Sequence, residues 1–403
     1  MKLIRIPRAT AASGRKISSI DHGGIVDTIQ RALTSAGLST DGAMIGVNNT
    51  IRRALSSAGL VIDAVATEKR EPPPSPKIRL NKPVGTAREP QHSACIIARG
   101  QPGQFVTRSY SNAAGTRAYK LYVPKTYTGK PMPLIVMLHG CTQSPDDFAA
   151  GTRMNQLADK RGFLVAYPAQ SVNANGSRCW NWFNPKDQVP DRGEPSLIAG
   201  ITREIASNYP VDEQCIFVAG LSAGAAMAVI LGATYPELYA AVGAHSGLAY
   251  GAAYDVPSAF AAMRGSGAPI SDGGGPSRTA IPRIQRGVRP TIVFHGDQDA
   301  TVNAVNGNAI VAQAIAYGAG IDGPLTRTVQ QRKAVNGREF TATLYRDAAL
   351  RLLVEEWVLH GAGHAWSGGC PDGSYTDMTG PDASAEMVRF FLANKGIGQR
   401  GAA

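Results

Sequence analysis

One segment of the chain has the pattern that places a reactive serine between a strand and a helix. The apolar run 216–219 leads into the pentapeptide G-L-S-A-G at 220–224, and helix-forming residues follow. In the pattern G-x-S-x-G the serine lies on a sharp strand-to-helix turn, where small flanking residues let the neighbouring backbones approach. The helix N-terminus also favours negative charge on a reacting group. We therefore predict Ser222 to be an acyl-transfer nucleophile, the alternative being an ordinary glycine-rich turn.

A serine nucleophile needs a base and an acid that orients the base. Two carboxylates, Asp297 and Asp299, follow the predicted strand 291–294 in the segment H-G-D-Q-D. A carboxylate at a strand end is where such an acid belongs. We predict Asp299, because a turn of the form H-G-x-x-D-x-x-V usually presents its second acidic position. In the alternative interpretation both acids cap the loop.

The candidate base is His364, in the glycine-rich segment G-A-G-H-A-W after the predicted strand 354–359. A histidine in such a loop can reach across to the nucleophile. His360 is the rival, but it ends the apolar strand and is expected to pack or hydrogen-bond there. The order serine, aspartate, histidine along the chain is the order typical of the α/β-hydrolase fold.

Acyl transfer also needs donors for the negative charge on the carbonyl oxygen. One donor is expected to be the backbone N–H of Ala223, next to the nucleophile. The loop after Leu138, with the sequence H-G-C-T-Q at 139–143, is expected to supply the other. We choose the N–H of Cys141, and the alternative is that this loop is a simple turn.

From about residue 100, short apolar runs alternate with helical segments. Such runs suit strands buried on both faces of a mostly parallel sheet, and the alternation predicts a doubly wound α/β fold. The predicted strands are 119–123, 134–138, 163–167, 216–219, 241–244, 291–294 and 354–359. The predicted helices are 147–160, 196–208, 223–235 and 383–394, the last with Asp382 as its cap. Segment 251–287 lacks periodicity and is expected to pass over the active-site face.

The first 98 residues differ from the rest. Residues 1–100 hold 15 Lys and Arg against 7 Asp and Glu, out of a formal charge of +11 for the 403-residue chain. The segment I-Q-R-A-L-T-S-A-G-L at 29–38 recurs almost unchanged at 51–60, which predicts two short helices in a basic extension over residues 1–70. Residues 71–98 are proline-rich and predict a linker. The predicted catalytic domain is 99–397.

The basic extension has two interpretations: a solvated, partly disordered arm, or a contact with an acidic surface or a polyester granule. No nucleic-acid-binding motif accompanies the charge, so nucleic acid is rejected as the main partner. The sequence also has no unbroken apolar run of about 20 residues, which excludes an evident transmembrane helix. The five cysteines contain no C-x-x-C pair, so a structural zinc site is not expected.

Taken together, these residues resemble the poly(3-hydroxybutyrate) depolymerase family of esterases over about residues 100–395. The resemblance rests on N-A-A-G-T-R-A-Y-K-L-Y-V-P at 112–124, L-H-G-C-T-Q at 138–143, C-W-N-W-F at 179–183, G-L-S-A-G at 220–224, H-G-D-Q-D at 295–299 and G-H-A-W at 363–366. It implies an α/β-hydrolase fold that hydrolyses short-chain polyhydroxyalkanoate or its oligoesters through a Ser-Asp-His triad, without a metal or organic cofactor. Feruloyl and acetylxylan esterases resemble the same group and are the alternative; a non-catalytic binding module is a more distant one.

The resemblance also implies a disulfide between Cys141 and Cys179, the alternative being two free thiols. Trp180, Trp182 and Trp366 are expected near the site, where aromatic rings suit an apolar acyl chain; the alternative is core packing. The family favours an extracellular protein. No standard secretory signal is evident at the basic N-terminus, so a cytoplasmic location is the alternative. The oligomeric state is not predicted.

Overall fold

The computed structural model describes residues 103–266, 289–318, 324–335 and 337–396. The predicted helices of the basic extension and the proline-rich linker lie outside these residues, as do residues 267–287 of segment 251–287. All statements about structure below concern the described residues.

Ten strands form one sheet. They are β1 (Gln104–Asn112), β2 (Gly115–Val123), β3 (Met132–Leu138), β4 (Leu164–Pro168), β5 (Val211–Leu221), β6 (Ala241–His245), β7 (Thr291–Gly296), β8 (Thr326–Lys333), β9 (Glu339–Arg346) and β10 (Leu352–Leu359). Their order across the sheet is β1-β2-β4-β3-β5-β6-β7-β10-β9-β8. The short strands β11 (Trp366–Ser367) and β12 (Thr376–Asp377) pair separately.

The six central strands, from β4 to β10, pair in parallel, and the two strands at each edge pair antiparallel. The prediction of a mostly parallel sheet is therefore confirmed. All seven predicted strands are present, because each carries a buried apolar run. Strands β1, β8 and β9 were not predicted. Strands β1 and β8 have largely exposed residues, so they lack the continuous apolar run that marks a central strand.

Seven helices accompany the sheet. They are α1 (Pro145–Thr152), α2 (Met154–Arg161), α3 (Gly193–Asn208), α4 (Ala223–Thr234), α5 (Val256–Met263), α6 (Val305–Gly318) and α7 (Ala383–Ala393). Two separate core clusters cover the two faces: Val136 and Val218 belong to one, and their chain neighbours Ile135 and Phe217 to the other. Because neighbouring residues of one strand point to opposite faces, the sheet is covered on both sides, as the doubly wound prediction requires.

The helices differ from prediction in two places. The predicted single helix 147–160 is two helices, α1 and α2, because Arg153 between them adopts a left-handed conformation with φ of 54°. Helices α5 and α6 were not predicted. The predicted cap of α7 is confirmed, since the Asp382 carboxylate accepts the N–H of Ala385 at 2.9 Å. No helix in the described part of the chain is long and apolar enough to span a membrane.

Candidate active site

Ser222 lies between the end of β5 and the first residue of α4, on the predicted strand-to-helix turn. Its backbone has φ of 58° and ψ of −121°, a conformation that residues with a side chain rarely adopt. Its N–H donates to the carbonyl of His245 at 2.9 Å. Backbone strain of this kind persists only where the surroundings fix it, and it is concentrated at functional sites.

Two glycines bring this turn against the loop that follows β3. A Cβ on Gly224 would lie 2.1 Å from the Leu138 carbonyl oxygen and 2.5 Å from that of His139. A Cβ on Gly220 would lie 2.4 Å from the backbone of Gly224. No side chain fits at either position. The glycines of the G-x-S-x-G pattern therefore hold the start of α4 against the predicted oxyanion loop.

Asp299 and His364 are hydrogen-bonded to each other. His364 Nδ1 lies 2.7 Å from Asp299 Oδ2, and the two side chains are 11% and 0% exposed. The other carboxylate oxygen of Asp299 accepts the N–H groups of Thr301 and Val302 at 2.9 and 2.8 Å. Burial by itself would raise the pKa of Asp299, but the bond and charge of His364 and the Val302 N–H outweigh it and lower the pKa. The carboxylate is thus ionised and able to orient the imidazole.

The two rival residues pair with each other instead. His360 Nδ1 lies 3.0 Å from Asp297 Oδ2, and the other Asp297 oxygen accepts the N–H of Gly361 at 2.7 Å. His360 Nε2 meets the Thr341 hydroxyl at 2.9 Å. Both ring nitrogens of His360 are occupied by these neighbours. This pair joins the loops after β7 and β10 at the protein surface. Asp297 and His360 therefore do not compete for the hydrogen bond between Asp299 and His364.

The sheet order brings the three predicted triad residues to one edge. Ser222 follows β5, Asp299 follows β7 and His364 follows β10, and these strands lie parallel with only β6 between β5 and β7. The carboxyl ends of parallel strands meet at one edge of a sheet, which is where such folds hold their ligand sites.

The predicted oxyanion loop is held by its own side chains and by a disulfide. Gln143 Oε1 accepts the N–H of Gly140 at 2.9 Å. His139 donates from Nδ1 to the Gly140 carbonyl at 2.8 Å and accepts the N–H of Gln170 at Nε2 at 3.0 Å. Burial lowers the pKa of His139 to about 4, so its ring stays neutral and can accept that bond. Ala223 is the first residue of α4, so its N–H has no partner one turn earlier in the helix.

Cys141 and Cys179 form a disulfide, and the N–H of Thr142 donates to the Ser177 carbonyl at 2.7 Å. Together these contacts fasten the loop at 139–143 to the segment 170–181. Glu194 braces that segment in turn: it accepts the backbone and side-chain N–H groups of Asn181 at 2.7 and 2.9 Å.

Glu194 is itself buried beside other charges. Its carboxylate accepts from Arg117 at 3.3 Å and from the Gln170 amide. Burial, followed by the negative charge of Asp187, raises the pKa of Glu194 to about 7. This network was not predicted, because Arg117, Gln170 and Glu194 lie far apart in the sequence and form no motif.

The expectation that three tryptophans contact the substrate needs correction. Trp180 and Trp366 are 0% and 1% exposed, and Trp182 is 6% exposed. The Trp180 indole N–H donates to the His139 carbonyl at 3.0 Å, and that of Trp366 donates to Ser384 at 3.0 Å. These rings fill the core beneath the site, so they support its loops instead of presenting a surface to the substrate.

Two residues near the site were missed. Tyr375 is 48% exposed, and its hydroxyl lies 3.4 Å from that of Thr142 in the predicted oxyanion loop. Its carbonyl accepts the N–H of Trp366 at 2.7 Å, so it belongs to the loop that follows His364. His245 ends β6, which lies between β5 and β7. A histidine at the end of a central strand was the available signal for it.

The central parallel sheet has helices on both faces, and the serine turn and the Asp-His pair follow strands that end at the same sheet edge. These features define an α/β hydrolase fold. An acetyl xylan esterase from Aspergillus awamori has the same fold, with a TM-score of 0.51 at 19% identity over 72% of this chain and 99% of that one. A family model described as "Esterase PHB depolymerase" matches residues 117–339, more than half of the chain. The protein belongs to this family, as the sequence resemblance implied.

Two curated relatives extend the comparison. A poly(3-hydroxyalkanoate) depolymerase C from Paucimonas lemoignei is 33% identical over 282 residues, covering 68% of this chain and 63% of the relative. A probable acetylxylan esterase A from Neosartorya fischeri is 33% identical over 211 residues, covering 50% of this chain and 56% of the relative. The chain thus spans less than two thirds of the length of either relative.

Proposed function

We propose that this protein is a serine esterase with Ser222, Asp299 and His364 as its catalytic triad. The observation that carries the proposal is the 2.7 Å bond between His364 Nδ1 and Asp299 Oδ2, formed at the sheet edge where Ser222 occupies a strained turn. With Nδ1 bonded to the carboxylate, Nε2 of the imidazole is left to accept a proton. Membership in the esterase family supports the same chemistry.

The proposed reaction passes through an acyl-enzyme. His364 Nε2 takes the Ser222 hydroxyl proton as the oxygen attacks the ester carbonyl. The Ala223 and Cys141 N–H groups stabilise the oxyanion, and Asp299 stabilises the imidazolium. His364 then gives its proton to the leaving alcohol. Water enters, loses a proton to His364 and attacks the acyl group, which leaves as the acid while Ser222 regains its proton.

For the substrate, we propose short-chain polyhydroxyalkanoate or its oligoesters. Of the two relatives described above, the depolymerase matches the larger share of this chain, 68% against 50%. Acetylxylan or feruloyl esters are the second candidate, supported by the acetylxylan esterase relative and by the acetyl xylan esterase with the same fold. Tyr375, half-exposed beside the oxyanion loop, offers an aromatic surface to either class of acyl chain.

We further propose an extracellular location and a surface contact for the basic extension. The Cys141–Cys179 disulfide supports an oxidising compartment, because such bonds are rare in reducing ones. The extension, residues 1–70, carries 10 Lys and Arg against 5 Asp and Glu, a charge suited to an anionic surface. If it anchors the protein to polyester particles or anionic vesicles, attachment should weaken as salt rises from 0.1 to 1 M, while hydrolysis of a soluble ester is unaffected.

The triad is tested by Ser222→Ala, with Ser207→Ala in α3 as the matched control. Ser222→Ala is expected to lower kcat by roughly 10⁴–10⁶-fold, as in other serine hydrolases, and to abolish labelling by a fluorophosphonate probe. Ser207→Ala should change neither. Activity above about a tenth of the wild-type value in a folded Ser222→Ala protein would exclude Ser222 as the nucleophile.

A substrate panel separates the two ester classes. It should contain p-nitrophenyl butyrate, 3-hydroxybutyrate oligomers, methyl ferulate, acetylated xylan and a peptide amide. The proposal predicts the highest kcat/KM among the natural esters for the hydroxybutyrate oligomers. Higher values for acetylated xylan or methyl ferulate would favour the carbohydrate esterase alternative, and no turnover with no probe labelling would favour the non-catalytic one.

A further inference from the structure

His245 lies where three loops of the candidate site meet. They are the turn after β5 that carries Ser222 (the nucleophile loop), the loop after β7 that carries Asp299 (the acid loop) and the loop after β10 that carries His364 (the base loop). His245 is the last residue of β6, which pairs with β5 on one side and β7 on the other. Its carbonyl accepts the N–H of Ser222 at 2.9 Å. The N–H of Ser246 donates to the Phe294 carbonyl at 2.9 Å, just before the acid loop. The backbone here therefore connects the nucleophile loop to the acid loop.

The side chain of His245 reaches the third loop. Its Nε2 accepts the N–H of Ser367 at 3.0 Å, three residues after His364. Because Nε2 accepts, the ring proton is on Nδ1, which meets the Ser246 hydroxyl at 3.2 Å. The imidazole stacks on Trp366, at 5.2 Å between ring centroids and 25° between planes.

The ring must stay neutral to hold this bond, because a protonated Nε2 cannot accept an N–H. The imidazole is fully buried and also stacks on Phe294 at 5.7 Å. Burial, followed by the nearby His295 and His364 rings, lowers the pKa of His245 to about 3 against the opposing charge of Asp299. His245 is thus a neutral acceptor at any pH well above about 3.

We propose that His245 is a positioning residue that fixes the base loop relative to the nucleophile: its carbonyl holds Ser222 and its imidazole holds the segment that carries His364. The inference rests on the proposed esterase function and extends it. His245 takes no part in bond making, so its loss should misalign His364 and Ser222. A misalignment of this kind lowers kcat and leaves substrate binding at the oxyanion loop and Tyr375 intact.

Two substitutions separate the acceptor from the aromatic ring. His245→Phe keeps a ring between Phe294 and Trp366 but has no acceptor for the Ser367 N–H. His245→Gln loses the ring but can present its amide oxygen near the position of Nε2. We expect His245→Phe to lower kcat by roughly 10–100-fold with KM within about twofold of wild type, and His245→Gln to recover most of that loss.

A matched control lies at the other end of the same strand. The buried Tyr239 hydroxyl meets the Thr202 hydroxyl at 2.9 Å, just before β6 and away from the site. Tyr239→Phe also removes one buried hydrogen-bonding group from an aromatic position. It should lower the unfolding free energy and leave kcat and KM unchanged. Should His245→Phe not fold, His245→Met fills the space without a strong acceptor and takes its place.

The outcomes distinguish this inference from the proposed function. Wild-type kcat in folded His245→Phe overturns the inference, and so does an equal loss of kcat in the Phe and Gln variants. If Ser222→Ala abolishes activity in the same series, the esterase proposal stands in either case. If Ser222→Ala stays active, the esterase proposal itself fails.

Discussion

At the start of α4, helix propensity and packing predict opposite effects of Gly224→Ala on the stability of the protein. Gly224 is the second residue of that helix, and alanine is favoured over glycine in helices by about 1 kcal/mol. Local propensity alone therefore predicts that Gly224→Ala is stabilising. Packing predicts the reverse, because the new Cβ would lie 2.1 Å from the Leu138 carbonyl oxygen and 2.5 Å from that of His139.

The size of the effect follows from these distances. Real Cβ atoms essentially never approach other heavy atoms below 3.0 Å, so the contact with Leu138 must lengthen by about 0.9 Å. Both contacted atoms are backbone, so no side-chain rotation relieves the overlap. Overpacking of this kind costs roughly 1–3 kcal/mol of unfolding free energy. The shift is expected to move the Ala223 N–H away from the predicted oxyanion loop, and a displacement of about 1 Å can lower the rate by roughly 100-fold.

The assay combines urea denaturation with ester kinetics. Gly224→Ala should lower the unfolding free energy and lower kcat for p-nitrophenyl butyrate in protein that is still folded. Gly232→Ala in the same helix is the control, since its Cβ would meet a Val242 methyl at 2.4 Å and not the oxyanion loop. It should lower stability without changing kcat. A Gly224→Ala protein as stable and as active as wild type would refute the packing argument.

Three further predictions follow from the site. Asp299→Asn should lower kcat by roughly 10⁴-fold through loss of the correct histidine tautomer, whereas Asp297→Asn should act mainly on stability. Steady-state kinetics of both variants test this, and a larger loss of kcat in Asp297→Asn would contradict it. Breaking the Cys141–Cys179 disulfide by a double serine substitution should lower the unfolding free energy by about 4 kcal/mol, from the closure entropy of a loop with a sequence separation of 38; unchanged urea midpoints would contradict this. Burial lowers the pKa of His245 to about 3 in the folded protein, so its neutral ring contributes stability that is fully present above pH 6.5 and is lost as the pH falls towards 3. The stability advantage of wild type over His245→Gln should therefore shrink by roughly 2–3 kcal/mol between pH 6 and 4; parallel stability curves would rule it out.

The sequence was sufficient for those parts of the fold that depend on local patterns. Continuous apolar runs marked the seven strands that are buried in the sheet, and the G-x-S-x-G pattern marked the turn at Ser222. The break between α1 and α2 was not predicted, because the left-handed residue that divides them is Arg153 and not a glycine or proline, the residues that usually mark a helix end. The exposed edge strands β1 and β8 were missed for a related reason, since a strand that buries little side-chain surface needs no apolar run.

The candidate site divides in the same way between sequence and structure. Residue type and position relative to a strand pointed to Ser222, Asp299 and His364, and left Asp297 and His360 as rivals. Only the fold pairs Asp299 with His364 and Asp297 with His360, because that choice depends on the register between β7 and β10.

The tertiary structure alone decided the role of aromatic and buried polar residues. Trp180 and Trp366 were predicted to lie near the site, with core packing as the alternative. Both rings are buried in the core, and half-exposed Tyr375 lies beside the predicted oxyanion loop instead. The connection of Ser222 to Ser367 through His245 spans more than 140 residues of sequence. A sequence records which groups can donate or accept, but burial and hydrogen-bond partners are set by residues that only folding brings together.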